Sequence, residues 1–154
     1  MMITALEGGC ACRRIRYCCD AEPIFQLVCH CRDCQRASGS AFAEAILIDR
    51  QALSITGEQP KYHTATADSG RSMQRGFCGA CGSPLLIVKP DLPQIAFLQA
   101  ASLDDPGIFQ PTLEIFTARA RPWVHSWRDI PRLEGPPIPA VPDAIAAYFS
   151  RKGF

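Results

Sequence analysis

Seven of the nine cysteines fall in three short clusters: Cys10-Ala11-Cys12, Cys29-His30-Cys31-Arg32-Asp33-Cys34 and Cys78-Gly79-Ala80-Cys81. Spacings of C-x-C and C-x-x-C let a single turn of backbone present thiolates to one metal ion, and zinc is the ion such sets suit best. A tetrahedral zinc takes four ligands, so two ions shared among seven thiolates leave one coordination position open. An open position on zinc is where chemistry takes place. Cys29, Cys31 and Cys34 lie close enough for one tight loop to present all three, with the fourth ligand a water or a substrate. Cys10 and Cys12 then pair with Cys78 and Cys81, two half-sites that together close a structural four-thiolate centre. The competing partition joins Cys31, Cys34, Cys78 and Cys81 as a zinc ribbon. Its spacer would be far longer than the ~15–20 residues of such ribbons, and it strands three clustered thiols. Cys18 and Cys19 have no ligand spacing and read as filler of a strand.

The elements that position these thiols read as mostly β. Stretches rich in β-branched and aromatic residues alternate with turn residues, which predicts strands near Ile3–Glu7, Ile15–Cys19, Phe25–Cys29, Phe42–Ile48, Leu53–Thr56, Lys61–Thr66, Met73–Phe77, Leu85–Lys89, Ile95–Gln99 and Leu113–Thr117. Gly57-Glu58, Asp68-Ser69-Gly70 and Asp104-Asp105-Pro106-Gly107 supply turn chemistry between them. A helical turn or short helix over Asp33 to Gly39 closes the second cysteine cluster. Thirteen prolines argue against long helices. Gly135 to Pro142, with four prolines, predicts an extended connector. It leads to a short helix capped by Asp143, running to Lys152 and stopped by Gly153, with Ile145, Tyr148 and Phe149 as its apolar face.

Composition narrows the function classes. A chain of 154 residues is one domain by length, with a formal charge of +1. No bulk field favours nucleic acid or an anionic membrane, and lysine is scarce: Lys61, Lys89 and Lys152. No apolar run reaches the ~20 residues of a spanning helix. The first residues lack the basic-then-apolar layout of an export signal. The expectation is a cytoplasmic protein whose thiols stay reduced for metal.

Gly9-Cys10-x-Cys12-x-x-Ile15-Arg16-Tyr17, Cys29-His30-Cys31-x-x-Cys34-Gln35-Arg36-x-Ser38-Gly39-Ser40-Ala41-Phe42 and Phe77-Cys78-x-x-Cys81-Gly82-Ser83-Pro84-Leu85 together resemble the glutathione-dependent formaldehyde-activating enzyme family, which includes the centromere protein V domain. The Gly57-Glu58 turn and Pro122-Trp123 through Trp127–Pro131 fit it as well, so the resemblance spans about residues 5 to 134. It implies a β-tent fold of antiparallel sheets pinned by zinc. It also implies structural zinc on Cys10, Cys12, Cys78 and Cys81, and a catalytic-type zinc on Cys29, Cys31 and Cys34. The family reaction joins glutathione and formaldehyde to S-(hydroxymethyl)glutathione, formally a carbon–sulfur lyase run in the synthetic direction. Residues 1–135 would form this zinc-binding domain and 136–154 a proline-rich connector with a C-terminal helix packed on it or extending from it.

Three thiolates give such a centre a net negative charge, which suits holding a thiolate better than generating hydroxide. Glutathione carries two carboxylates, and guanidinium meets a carboxylate with two parallel hydrogen bonds. Arg32 and Arg36 beside the open-site cysteines, and Arg71 and Arg75 before the second pair, are the candidates to bind it. Ser38-Gly39-Ser40 offers an anion cradle or a plain turn. His30 is expected to point away from the metal, His63 to be an ordinary sheet residue and His125 to join an aromatic cluster with Trp123 and Trp127. Glu44 and Asp129 are the available proton carriers. Two rival readings are a zinc-stabilised module docking a protein partner through Tyr148, Phe149 and Phe154, and a nucleic-acid-binding zinc ribbon. The partner expected is a small thiol, with no nucleic acid and no membrane; the sequence leaves an oligomer open.

Overall fold

Strand β4 (Ala43–Asp49) is apolar on both faces, and those two faces divide the molecule. Ala45 and Leu47 point to one side, Ile46 and Ile48 to the other, and all four are buried. Such a strand must lie mid-sheet with cover above and below. The computed structural model describes residues 5–67, 69–125 and 129–153. Around β4 run β1 (Leu6–Gly9), β2 (Ile15–Cys19), β3 (Phe25–Cys29), β5 (Leu53–Gly57), β6 (Lys61–Thr66), β7 (Ser72–Phe77), β8 (Pro84–Val88), β9 (Ile95–Gln99) and β10 (Leu113–Ile115). They form a three-stranded sheet, β1-β2-β5, and a seven-stranded sheet, β10-β3-β4-β9-β8-β7-β6.

The small sheet covers one face of the large one. Leu6, Ile15, Tyr17 and Cys19 pack there with Ile46, Ile48, Leu86, Val88 and Leu98. Gly8 makes this close approach possible, because a Cβ on it would lie 2.3 Å from the Ser102 carbonyl oxygen and 2.4 Å from the Tyr17 hydroxyl. The other face gathers Leu27, Ala45, Leu47, Ile95, Leu113 and Ile115 under Val141, with Ile145 and Phe149 packed against them. That cover comes from helix α2 (Ala140–Arg151). The helix α1 (Arg32–Ser38) directly follows β3.

All the predicted strands are found, with small shifts at their ends; Ile3 and Thr4 lie outside the described residues. One feature departs from an all-antiparallel sheet. β10 pairs with β3 in parallel, Leu113 opposite Leu27 and Ile115 opposite Cys29. The long excursion between them returns the chain in the same direction, which a hairpin cannot do. The last helix also begins earlier than expected, at Ala140 rather than after Asp143. Pro142 sits in its first turn, where a missing N–H has no intrahelical partner to lose. Asp143 lies in that same turn beside the positive end of the helix. At the other end the Lys152 ammonium donates to Asp49 Oδ2 over 2.7 Å, clamping the helix to the end of β4.

Candidate metal centres

Two turns face each other to build the four-cysteine cluster. The β1–β2 turn carries Cys10 and Cys12. It closes through Arg13 N–H donating to the Cys10 carbonyl over 3.0 Å, with Arg13 at a φ of 63°. The β7–β8 turn carries Cys78 and Cys81. Gly82, at φ 77°, donates to the Cys78 carbonyl over 2.8 Å and Cys78 N–H to the Ser83 carbonyl over 2.9 Å. Glycine is needed at Gly82, because side chains rarely adopt that left-handed geometry. Ala11 N–H donates to Ser83 Oγ over 3.0 Å and joins the two turns.

The four Sγ atoms lie within 4.8 Å of one another, with Cys10–Cys12 at 3.5 Å and Cys12–Cys78 at 3.7 Å. The edge of a tetrahedron of sulfurs around zinc is about 3.8 Å at ordinary Zn–S bond lengths. These residues fit the ion. Ile15 N–H donates to Cys10 Sγ over 3.3 Å, and the Ser83 hydroxyl lies 3.2 Å from Cys81 Sγ. Hydrogen bonds from the Ser83 hydroxyl and N–H pull the Cys81 thiol down to about 5. Cys12 goes the other way. The Arg14 N–H pulls it down, but burial and hydrogen bonds with Cys10, Cys81 and Cys78 prevail and raise it to about 12. Thiols this crowded cannot all ionise without a cation among them, and a divalent ion supplies that charge.

The three-cysteine cluster uses a strand end and a helix start. Cys29 ends β3, Cys31 caps α1 in extended conformation, and its Sγ accepts the N–H of Cys34 over 3.3 Å. The three Sγ atoms also lie within 4.8 Å of one another, and among the described residues no further Cys, His, Asp or Glu joins them. Hydrogen bonds from Cys29 and Cys34 pull Cys31 down to about 2, while those with Cys31 and Cys34, and burial, push Cys29 far up. The donor set therefore fits a metal with a position left for an outside ligand.

Sequence reasoning did not find what holds this loop. His30, 1% exposed, turns away from the sulfurs as expected, and its Nε2 donates to Glu114 Oε2 over 2.8 Å. Glu114, on β10, is fully buried and has Arg132 Nε at 3.7 Å. Gln35 Nε2 donates to the His30 carbonyl over 2.7 Å and to the Arg119 carbonyl over 3.0 Å. The available signal was Glu114 itself, a lone carboxylate between Leu113 and Ile115 in a strand with no solvent-facing side.

The four candidate arginines divide. Arg32 donates to Gln35 Oε1, and Arg71 lies 3.8 Å from Asp91. Arg75 lines a cavity of about 210 Å³ with Cys34, His63, Phe77 and Leu86. Arg36 and Arg75 line a second, of about 300 Å³. Ser38 is consumed by the helix end: its hydroxyl donates to the Phe42 carbonyl over 2.9 Å and accepts Ser40 N–H over 3.2 Å. His63 lies in β6 as predicted, but its side chain is exposed to the cavities. Trp123 is 70% exposed rather than packed, and Trp127 lies outside the described residues. Glu44 alternates to the face of β4 opposite Ala43, which pairs with Cys29.

A crystal structure of a Rhodobacter sphaeroides protein, a Northeast Structural Genomics target, shares this fold at 16% identity with a TM-score of 0.52, covering 82% of this chain and 99% of that one. No curated protein matches the chain. The profile of the glutathione-dependent formaldehyde-activating enzyme family matches residues 5–119, and these residues contain both cysteine clusters. With its paired C-x-C and C-x-x-C turns and its separate three-thiol loop, the chain belongs to the glutathione-dependent formaldehyde-activating enzyme family.

Proposed function

We propose that the protein joins a small thiol, glutathione in the first instance, to formaldehyde, acting as an S-(hydroxymethyl)glutathione synthase of the carbon–sulfur lyase type. The observation that carries this reading is that Cys34 belongs to a three-thiol centre and also lines a cavity. A ligand entering that cavity reaches a centre with a position to spare. The four-cysteine cluster lines neither of the two cavities, so it takes the structural role, with Cys10, Cys12, Cys78 and Cys81 as its ligands. Cys29, Cys31 and Cys34 would hold a zinc ion, which would supply a fourth position able to keep an incoming thiol deprotonated at neutral pH.

The reaction balances without another cofactor. The sulfur adds to the aldehyde carbon, the C=O π bond opens onto oxygen, and the proton given up by the thiol returns to that oxygen through solvent. The protein's own residues supply position and surroundings. His30, Glu114 and Gln35 hold the loop, α1 presents Cys34 to the cavity, and Phe77, Leu86 and Ile87 exclude water from one wall. Residues 1–135 serve as the zinc-binding domain and 136–154 as its extension. Among the described residues no helix is long and apolar enough to cross a membrane. A reducing compartment such as the cytoplasm suits the nine free cysteines.

Two variants test the division of labour. Cys31→Ala is expected to remain folded by circular dichroism and to lose glutathione-dependent consumption of formaldehyde. Cys78→Ala is expected to unfold, because structural zinc in peptides is worth on the order of 10–16 kcal/mol. If both variants unfold alike, the assignment of one open and one structural centre is wrong. If both fold and Cys31→Ala keeps full turnover, the reaction does not use this centre.

A further inference from the structure

The two cavities adjoin and together make a groove beside α1. Both are lined by Ala37, His63 and Arg75, the first continuing to Cys34 and the second to Arg36. One wall is α1 and the other is the β6–β7 hairpin. In that hairpin His63 stands directly opposite Arg75, so the two side chains share a face with their Cβ atoms about 5 Å apart. Arg36 reaches the groove from α1. The structure has already given Arg32 to Gln35 and Arg71 to Asp91. Among the described residues neither Arg36 nor Arg75 has a carboxylate within ion-pair distance. Asp33 is the acidic residue of this lining, against two guanidiniums and an imidazole. The cavity that Cys34 lines also has Phe77, Leu86 and Ile87 in its lining.

We infer that this groove is a carboxylate-recognition subsite, with Arg36, Arg75 and His63 selecting thiols that carry an acid group a short aliphatic arm away from sulfur. The sulfur lies at the Cys34 end and the carboxylate at the end shared by α1 and the hairpin. An aliphatic arm suits the apolar lining of Phe77, Leu86 and Ile87, and paired guanidiniums suit a carboxylate better than any neutral group does. The thiol end of this inference rests on the proposed open centre, while the carboxylate end stands on the groove alone. His63 is a specificity residue here rather than a plain member of the sheet.

Calorimetric titration of the zinc-loaded protein tests it with three thiols: glutathione, its diethyl ester and 2-mercaptoethanol. Glutathione is expected to bind about tenfold or more tightly than the diester, the effect of one charge-assisted pair. Arg75→Gln and Arg36→Gln are each expected to erase most of that preference while leaving 2-mercaptoethanol binding unchanged. Equal affinity for acid and ester, or a preference that survives both substitutions, overturns the inference. The open-centre reading fails separately, when 2-mercaptoethanol does not bind or binds Cys31→Ala as well as wild type. In that case S-methylglutathione against its diester decides the groove: arginine-dependent preference upholds it without metal chemistry, and no preference overturns it.

Discussion

A single hydroxyl shows how tightly the two sheets are joined. Tyr17 is buried between them, and its Oη lies 2.7 Å from Ser102 Oγ. Burial pushes its phenol up to about 12, outweighing the Ser102 hydrogen bond, against an unfolded value near 10. The folded state therefore holds this proton more strongly. Its contribution is fully present below about pH 10 and disappears as pH rises through about 12, worth roughly 2–3 kcal/mol at most. Tyr17→Phe is expected to cost about 1 kcal/mol at pH 7 through the lost hydrogen bond. It should also flatten the alkaline fall of stability between pH 10 and 12 in urea unfolding. An unchanged slope would mean that Tyr17 gives up its proton at the same pH in the folded and unfolded states. Chemistry at this scale was largely legible in advance, because thiol spacing is a property of a few neighbouring residues. What stayed hidden at the residue scale was pairing. Arg32 and Arg36 look alike in sequence, and only the fold brings Gln35 to one and a groove to the other.

The three-thiol loop depends on elements that contribute no sulfur. β10 enters parallel to β3 and sets Glu114 where the His30 side chain can reach it, while Gln35 ties the loop backbone to Arg119. Removing Glu114 leaves the buried His30 Nε2 donor without its acceptor, a loss of about 1–3 kcal/mol. Glu114→Ala is expected to cost about that much in urea unfolding, and to speed zinc loss from the protein to a chelator under conditions where the fold persists. The double variant His30→Ala, Glu114→Ala should cost clearly less than the sum of the two singles. Additive losses would show that the two residues act independently. Strands were readable from alternation and turn residues, and their order in the sheet was not. Nothing local marks β10 as parallel to a strand more than eighty positions earlier. The start of α2 was misplaced for a related reason: Pro142 reads as a connector until a helix is known to begin two residues before it.

At the scale of the whole molecule, the apolar face that carries Cys29 is finished by the last helix. Val141 and Tyr148 are buried, and Ile145 and Phe149 pack against Leu27, Leu47 and their neighbours. Removing residues 136–154 withdraws side chains worth on the order of 5–8 kcal/mol in burial, comparable to the whole stability of a small domain. The shortened chain is expected to lose its cooperative thermal transition. If it melts as cooperatively as the full chain, 136–154 is an appendage and residues 1–135 fold alone. The same architecture puts the two cysteine clusters to different uses of one sheet. β7 carries Arg75 into the groove, and three residues later Cys78 enters the four-cysteine cluster. The four-cysteine cluster therefore lies at the base of one wall of the groove, while the far end of the hairpin near Gly70 joins neither cluster. A lineage of such proteins can redraw what the groove admits by changing the hairpin and the outer face of α1, and leave every sulfur where it is. The hairpin's share of that selectivity is written apart from the sulfurs, so it can drift while they are kept.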